Sequence, residues 1–321
     1  MRRVFITGAS TGIGAALARH YAGSDSEIGL FARRRDLLEK LAASLPGQSS
    51  IYPADITDTP AVAAAAQDFL ARYGTPDLVI ANAGISVGTR GDELQDVEKL
   101  RRVLDVNVAG LAATLAAFAP AMRAAGRGTL CGIASVAGFR GFAGAGAYST
   151  SKAAAITWLE ALRLELAGSG VSVVTICPGY IDTPMTQVNK YRMPFLISAD
   201  EAAKRFARAI EAKRRLAVIP WQMAIVSSLL RAMPGWLYDR LAAKRIVQGL
   251  LVSGVMASLA ATGAVMCAEH PYQYTYFGLL AGSRDLIRVR FDMDYWGISG
   301  LQALERILEA DPRPRIVVSG P

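Results

Sequence analysis

At 321 residues the chain exceeds a typical single domain, so we expect one large α/β unit with an appendage. Three widely separated cysteines (Cys131, Cys177 and Cys267) and two histidines exclude a disulfide framework and argue against a metal site or a Ser-His-Asp triad. The net charge of +8 is concentrated in residues 204–245, where ten basic residues accompany two acidic ones; the alternatives are a solvated helix face and attraction to anionic lipid headgroups. Nucleic acid is not an expected partner, because no nucleic-acid-binding motif accompanies this charge.

Seven short apolar runs predict strands, and alanine-rich segments with helical spacing lie between them. In chain order the runs are "VFIT", "EIGLFA", "SSIYPA", "DLVIAN", "GTLCGIAS", "VSVVTICP" and "LAVIP". This alternation predicts an α/β fold with a Rossmann-like, doubly wound parallel sheet of about seven strands, followed by a hydrophobic C-terminal extension. Ligands of such sheets bind beyond the carboxyl ends of the strands. The first strand follows "MRR" directly, so we expect no secretory signal and a cytoplasmic catalytic part.

The run "TGASTGIG", residues 7–14, lies between the first strand and a predicted helix, which is the context of a nucleotide-binding loop. Gly8 would allow a tight turn, Gly12 a close approach of the backbone to phosphate, and Gly14 close packing of helix on sheet. The start of the helix would offer free N–H groups and a positive dipole end to a pyrophosphate. Taken alone, the run is also compatible with a flexible turn.

The end of the second strand, "LFARRRD", indicates the type of dinucleotide. A carboxylate there would bind a ribose 2′-hydroxyl, but Ala32 takes that position and Arg33 and Arg34 follow. Guanidinium groups match a doubly charged phosphate, so we expect NADP rather than NAD. The alternative is that these arginines only cap a surface turn.

Tyr148 and Lys152 are four residues apart at the start of a predicted helix and therefore share a face. The pKa of a phenol is about 10 in water, and a neighbouring ammonium lowers it by favouring the phenolate. Tyrosine can then act as a general acid or base. Such a pair is by itself compatible with a purely structural role, but Ser135 ends a strand thirteen residues earlier, where it can hold a substrate carbonyl oxygen.

Two further runs complete the motif set: "DVNVAG" offers Asn107, and "IANAGIS" offers Asn82, Ala83 and Gly84 at the end of the fourth strand. Residues 1 to about 220 resemble the short-chain dehydrogenase/reductase family, in its NADP-preferring type. The resemblance rests on "TGASTGIG", "NAG", Asn107, Ser135, "YSTSK" and "PGYIDTPM", in the family's order and spacing.

The resemblance implies an NAD(P)-dependent dehydrogenase/reductase that acts on CH–OH and C=O groups. Tyr148 would exchange the proton on the substrate oxygen, and Ser135 would hydrogen-bond that oxygen. Lys152 would lower the tyrosine pKa and hold the nicotinamide ribose. Asn107 would position a water that links Lys152 to solvent.

The cofactor site implied by the resemblance is larger than the glycine loop. Asp55 resembles the residue that contacts the adenine ring, with Ile56 beside it, and the loop after the sixth predicted strand resembles the one that holds the carboxamide. The predicted cofactor-binding residues are Gly8, Ser10, Gly12, Ile13, Gly14, Arg33, Arg34, Asp55, Ile56, Asn82, Ala83, Gly84, Tyr148, Lys152, Pro178, Gly179, Ile181 and Thr183. Residues 185–199 would form a substrate lid, and its side chains favour an apolar or lipid-like substrate; they are Met185, Val188, Tyr191, Met193, Phe195 and Leu196.

The chain changes character after Pro220. Residues 221–245 combine aromatic and basic side chains, as expected of a helix at a membrane interface. Residues 246–268 contain no charge, and roughly 20 apolar residues suffice to span a bilayer. The alternatives for them are an inner-membrane anchor, a buried helix in a dimer interface and an irregular apolar tail. Residues 246–321 also resemble the C-terminal end of bacterial membrane glycosyltransferases of the protein-mannosyltransferase type, without their catalytic regions.

The sequence thus predicts four parts: a catalytic Rossmann domain (1–220), a basic amphipathic segment (221–245), a membrane helix (246–268) and a small tail (269–321). The expected function is NADP-dependent interconversion of a carbonyl and a secondary alcohol on a small-molecule substrate. The alternative is a dinucleotide-sensing or membrane-recruited scaffold without turnover. The resemblance implies a homo-oligomer, and the composition suggests membrane contact through residues 221–268.

Overall fold

The computed structural model describes residues 2–189 and 192–243 and contains a seven-stranded parallel sheet. The strands are β1 Arg2–Thr7, β2 Ser26–Ala32, β3 Gln48–Pro53, β4 Leu78–Ala81, β5 Thr129–Ile133, β6 Ser172–Pro178, β7 Ile181–Asp182, β8 Ile197–Ser198 and β9 Leu216–Ile219. Strand order in the large sheet is β3-β2-β1-β4-β5-β6-β9, and the fold class and the seven predicted strands are confirmed. A separate two-stranded sheet of β7 and β8, which was not predicted from the sequence, follows β6.

Helices cover both faces of the sheet, as expected for a doubly wound fold. They are α1 Gly12–Tyr21, α2 Arg35–Ser44, α3 Thr59–Tyr73, α4 Asp96–Leu104, α5 Gly110–Ala125, α6 Gly146–Glu165, α7 Pro184–Gln187, α8 Ala199–Glu211, α9 Trp221–Ala232 and α10 Gly235–Ala243. A π-helical turn, Asp105–Ala109, joins α4 to α5. Together these form the one helix in the described residues that is long and apolar enough to cross a membrane, but the buried side chains of α5 belong to the core of the domain.

Two hydrophobic cores lie on opposite faces of the sheet, one under α1, α2 and α8 and the other under α3, α5 and α6. Phe5 of β1 is central to the second core, with its ring centroid 4.7 Å from that of Phe118 and 5.5 Å from that of Phe69. A Cβ at Gly29 of β2 would lie 2.4 Å from the Phe5 ring. The absence of a side chain there makes room for this aromatic cluster, which anchors α3 and α5 against the first two strands.

The basic concentration predicted for residues 204–245 is divided by the fold. Lys213, Arg214 and Arg215 precede the amino end of β9, whereas Arg231 and Arg240 lie on α9 and α10, beyond its carboxyl end. Because β9 is parallel to the other strands, the first three basic residues lie near the amino ends of the strands. Arg231 and Arg240 lie on the side of the carboxyl ends. The predicted membrane helix at 246–268 and the tail at 269–321 lie outside the described residues.

Candidate active site

Every predicted site residue lies at one edge of the sheet or in a loop or helix that borders this edge. The glycine loop follows β1, Arg33 follows β2, Asp55 follows β3 and Asn82 follows β4. Ser135 follows β5 at the same edge. Because all seven strands are parallel, residues that come directly after strands meet at one end of the sheet. Topology therefore collects residues from these five regions of the chain into one cleft.

The glycine loop has the backbone geometry that phosphate binding requires. Gly8 and Gly12 have φ values of 66° and 57°, in the region that glycine adopts without strain. A Cβ at Gly14 would lie 2.2 Å from the Gly8 carbonyl oxygen, so α1 packs against the loop more closely than any side chain allows. Helix α1 begins at Gly12 with no acidic residue in its first turn, and its positive end faces the loop.

Asn82 holds the glycine loop against β4. Its side-chain nitrogen donates to the carbonyl oxygens of Thr7 and Gly8, at 3.1 and 3.2 Å. The Thr7 hydroxyl in turn accepts from the backbone N–H groups of Asn82 and Ala83. The side-chain amide of Asn82 is therefore used within the protein, and its role in the structure is to position the loop.

The two arginines after β2 have different surroundings. Arg34 donates to the hydroxyl groups of Ser10 and Thr11, at 3.4 and 3.1 Å, which brings its guanidinium over the glycine loop. Arg33 instead forms an ion pair with Asp55, with a nitrogen–oxygen distance of 3.7 Å. Partial burial opposes ionisation of Asp55, but hydrogen bonds from Thr57 and the charge of Arg33 outweigh it and lower the carboxyl pKa.

The opposite wall of the cleft comes from the segment after β6. A Cβ at Gly12 would lie 3.2 Å from the Thr183 methyl carbon, so the glycine loop and this segment face each other closely. Thr183 caps α7 in a capping box with Thr186. The Gly179 N–H donates to the Ile219 carbonyl at 2.8 Å, which fixes the turn after Pro178 to β9.

Three predicted cofactor residues contribute apolar packing. Ile56 is buried, and a Cβ at Gly110 would lie 2.7 Å from it. Ile13 packs partly buried against the first core, and Ile181 lies inside that core. Of the predicted lid, Met185, Val188 and Leu196 are exposed, and Met193 and Phe195 are partly buried. Tyr191 lies outside the described residues.

A short 3₁₀ turn, Val136–Gly138, brings Ser135 toward the helix that carries Tyr148 and Lys152. The Ser135 hydroxyl caps this turn by accepting from the Ala137 N–H at 3.1 Å. A Cβ at Gly138 would lie 2.7 Å from the Lys152 carbonyl carbon. Only glycine permits this approach, and it places the Ser135 turn directly on the backbone of α6.

Lys152 is the buried cation of the site. Its Nζ donates to the Ile133 carbonyl at 2.8 Å and lies 5.7 Å from the centre of the Tyr148 ring. Burial lowers the Lys152 pKa to about 8, against a smaller opposing influence from Cys177. Below that pH Lys152 is mainly an ammonium, and this positive charge beside Tyr148 favours the phenolate form of the tyrosine.

Asn107 lies on the π-helical turn, fully buried beside Lys152. Its side-chain oxygen accepts from the Ile85 N–H at 2.8 Å, and its nitrogen donates to the Ile85 carbonyl and the Ser151 hydroxyl, both at 2.9 Å. A Cβ at Gly84 would lie 3.2 Å from the Asn107 oxygen and 3.6 Å from the Lys152 nitrogen. The structure thus brings Gly84, Asn107 and Lys152 together.

Sequence reasoning did not identify three supporting residues. Thr7 holds the end of β4, and Ser151 holds the Asn107 amide. Buried Thr89 accepts from the Ala147 N–H at 3.0 Å and so anchors the start of α6, next to Tyr148. Thr7 and Ser151 lie within the quoted runs "TGASTGIG" and "YSTSK", whereas Thr89 lies in no predicted motif. Hydroxyl side chains are too common to single out without knowledge of their partners.

The cleft fits a nicotinamide dinucleotide on three observations. The Gly8–Gly14 approach leaves a cradle that a Cβ would fill, the start of α1 offers backbone donors, and Arg34 adds a cation beside them. At the other end, Tyr148 and buried Lys152 can exchange a proton with a bound oxygen. Within residues 2–189 and 192–243, no group of three or more His, Cys, Asp or Glu side chains could hold a metal ion.

Known proteins are similar to this chain in sequence and in fold. The family model described as short chain dehydrogenase matches residues 2–193. An uncharacterized oxidoreductase of Myxococcus xanthus is 36% identical over 248 residues, which are 76% of this chain and 97% of that protein. The 2-(R)-hydroxypropyl-CoM dehydrogenase of Xanthobacter autotrophicus is 33% identical over 192 residues, 58% of this chain and 77% of that protein.

Among solved structures, an alcohol dehydrogenase from the archaeon Thermococcus sibiricus, complexed with 5-hydroxy-NADP, superposes with a TM-score of 0.60 and 27% identity. The superposition covers 68% of this chain and 96% of the other. These matches do not support the resemblance of residues 246–321 to membrane glycosyltransferases.

Proposed function

The chain belongs to the short-chain dehydrogenase family and is an NAD(P)-dependent dehydrogenase/reductase; from this premise we propose that it is an NADP-dependent enzyme that interconverts a carbonyl and a secondary alcohol on an apolar substrate. Its catalytic residues are Asn107, Ser135, Tyr148 and Lys152. The observation that carries the proposal is the packing of the Ser135 turn on the Lys152 backbone, with buried Lys152 beside the Tyr148 ring.

A bound nicotinamide dinucleotide supplies hydride transfer, and this chain's side chains handle the proton. In the reducing direction Tyr148 donates its phenolic proton to the substrate oxygen, and Ser135 donates a hydrogen bond to the same oxygen. The Lys152 ammonium stabilises the phenolate that remains. Asn107 is held rigidly by Ile85 and keeps the surroundings of Lys152 polar.

The proposed preference for NADP depends mainly on Arg34. It lies over the glycine loop, whereas the charge of Arg33 is partly neutralised by Asp55. We expect Arg34→Ala to raise KM for NADPH by about tenfold or more while leaving KM for NADH nearly unchanged, since a charge-assisted phosphate contact contributes about 1.5–3 kcal/mol. Arg35→Ala, on the next residue, is the matched control and should leave both constants unchanged. Equal losses with both nucleotides would refute a 2′-phosphate role.

The proposed catalytic role of Tyr148 is tested by Tyr148→Phe. Carbonyl-dependent NADPH oxidation should fall about 10²–10⁴-fold, the usual contribution of a general acid, while NADPH binding by fluorescence is retained. Tyr73→Phe, at the last residue of α3, is the control and should leave the rate of NADPH oxidation unchanged. Normal turnover by Tyr148→Phe would refute the mechanism. If the wild-type protein bound NADPH but oxidised it with no aldehyde or ketone, the sensing alternative would be favoured.

The apolar substrate is supported by the exposed lid side chains Met185, Val188 and Leu196. An aldehyde and ketone series of increasing chain length should show kcat/KM rising with length, and a flat series would refute this part. Membrane attachment by 246–268 and homo-oligomer formation are further parts of the proposal. Removal of residues 246–321 should release the protein from membranes, and light scattering should give more than one copy per particle.

A further inference from the structure

Helix α9 leaves three of its large apolar side chains exposed to solvent. Met223 and Ser227 face the domain and are buried, whereas Trp221, Ile225 and Leu229 are 57%, 46% and 48% exposed. These three residues recur every four positions and therefore form one stripe along the outer face. A helix on the surface of a water-soluble domain shows the opposite distribution, so this face is suited to an apolar partner.

The two helices α9 and α10 carry two basic residues and one acidic residue. Helix α9 carries no charged residue before Arg231, and α10 adds Arg240, with Asp239 as the only acid. Trp236 at the start of α10 is 69% exposed. The sequence continues after α10 with Lys244 and Arg245 and then with 23 residues that carry no charge. Exposed tryptophans, apolar side chains and basic residues in one segment match the composition of surfaces that lie in the headgroup region of an anionic bilayer.

We propose that the outer face of α9, formed by Trp221, Ile225 and Leu229, docks on an anionic lipid bilayer. Arg231 and Arg240 can pair with lipid phosphates. An identical surface on a second copy would instead bring the same arginines together, and their charges would repel each other. This inference deepens the proposed function, on which it rests for the apolar substrate. It differs from anchoring by residues 246–268, because the surface belongs to the catalytic unit itself.

The inner side of α9 borders the catalytic cleft at two points. A Cβ at Gly179 would lie 2.6 Å from the Met223 side chain, so the start of α9 rests on the turn after β6. At the other end Arg140, five residues after Ser135, donates to the carbonyl oxygens of Leu230 at 2.9 Å and of Met233. A docked α9 therefore holds the cleft beside the bilayer, where an apolar carbonyl compound is concentrated.

The test uses the full chain with vesicles of phosphatidylcholine alone or with phosphatidylglycerol, each with and without bromine-labelled acyl chains. Bromine quenches tryptophan only at short range. The fluorescence of Trp221 is isolated by comparing the wild type with Trp221→Phe, which keeps an apolar aromatic side chain at this position. We expect strong quenching of the Trp221 component with the anionic vesicles and little with the neutral ones. Unquenched Trp221 in protein that cosediments with vesicles would overturn the proposal, because attachment would then come from another segment.

Ile225→Ser should lower vesicle partitioning of the catalytic surface, read as Trp221 quenching, by about tenfold, since one buried aliphatic side chain contributes that much. Leu94→Ser, at a leucine that is 89% exposed before α4, is the matched control and should change nothing. Weak quenching of Trp221 by acrylamide without vesicles would also overturn the proposal, because another protein surface would already cover this face. If the shielding increased with protein concentration, the cover would be a second copy of the chain. If it did not depend on concentration, the cover would be the chain's own C-terminal tail. NADPH oxidation with a water-soluble aldehyde, measured without vesicles, reports the proposed function separately.

Discussion

Replacement of Lys152 by methionine should inactivate the protein and stabilise its fold at pH 7. The Lys152 pKa is lowered from 10.5 to about 8 by burial, so the folded state disfavours the ammonium. A lowering of about 2.5 pH units corresponds to about 3 kcal/mol, because one pKa unit is about 1.4 kcal/mol. Methionine removes this cost but leaves the Ile133 carbonyl without its donor, which costs about 1–3 kcal/mol. The net expected gain in the free energy of unfolding is up to about 2 kcal/mol.

The direction of this change in the free energy of unfolding can be checked by measuring it at several pH values. A lysine whose pKa is lowered on folding contributes stability at high pH, and that stability is lost as the pH falls from about 10.5 to about 8. Urea unfolding followed by circular dichroism should therefore show the advantage of Lys152→Met at pH 7 shrinking at pH 9 and reversing near pH 10. Lys40→Met, at an exposed lysine of α2, is the control and should show no such trend. A destabilised Lys152→Met at pH 7, with wild-type stability flat up to pH 10, would show that burial does not disfavour the Lys152 ammonium.

Two further substitutions test the packing around the site. Gly14→Ala should lower the free energy of unfolding by about 1–3 kcal/mol and weaken NADPH binding, because the new methyl would lie 2.2 Å from the Gly8 carbonyl; Gly91→Ala, in open space, is the control, and equal stability and binding in both variants would contradict the cradle. Arg140→Gln should lower the free energy of unfolding by about 1.5–3 kcal/mol and reduce kcat, because its charge-assisted bonds to α9 carbonyls such as that of Leu230 are lost. Arg140→Lys should restore kcat in part, and an unchanged kcat in Arg140→Gln would show that α9 does not support the Ser135 turn.

Local signals in the sequence were enough to predict the sheet and the main motifs. The seven strands are short runs bounded by helical segments, and the apolar residues of each run are visible without knowledge of its neighbours. The glycine loop and the Tyr148–Lys152 pair were also predictable, since each depends on spacing within a few residues. The parallel orientation of the strands then follows from the alternation of strands and helices, which places all the loops after strands at one edge of the sheet.

Tertiary structure alone decided which residues meet across long separations. Arg34 and Arg33 are adjacent in the sequence, but one reaches the glycine loop and the other pairs with Asp55. Asn107 finds its partner Ser151 44 residues away, on another helix. The outward stripe of α9 could not be read from composition, because an apolar helix shows in its sequence neither which face the domain covers nor which face it leaves to a partner. Such contacts depend on the docking of whole helices and strands, a property that no local pattern encodes.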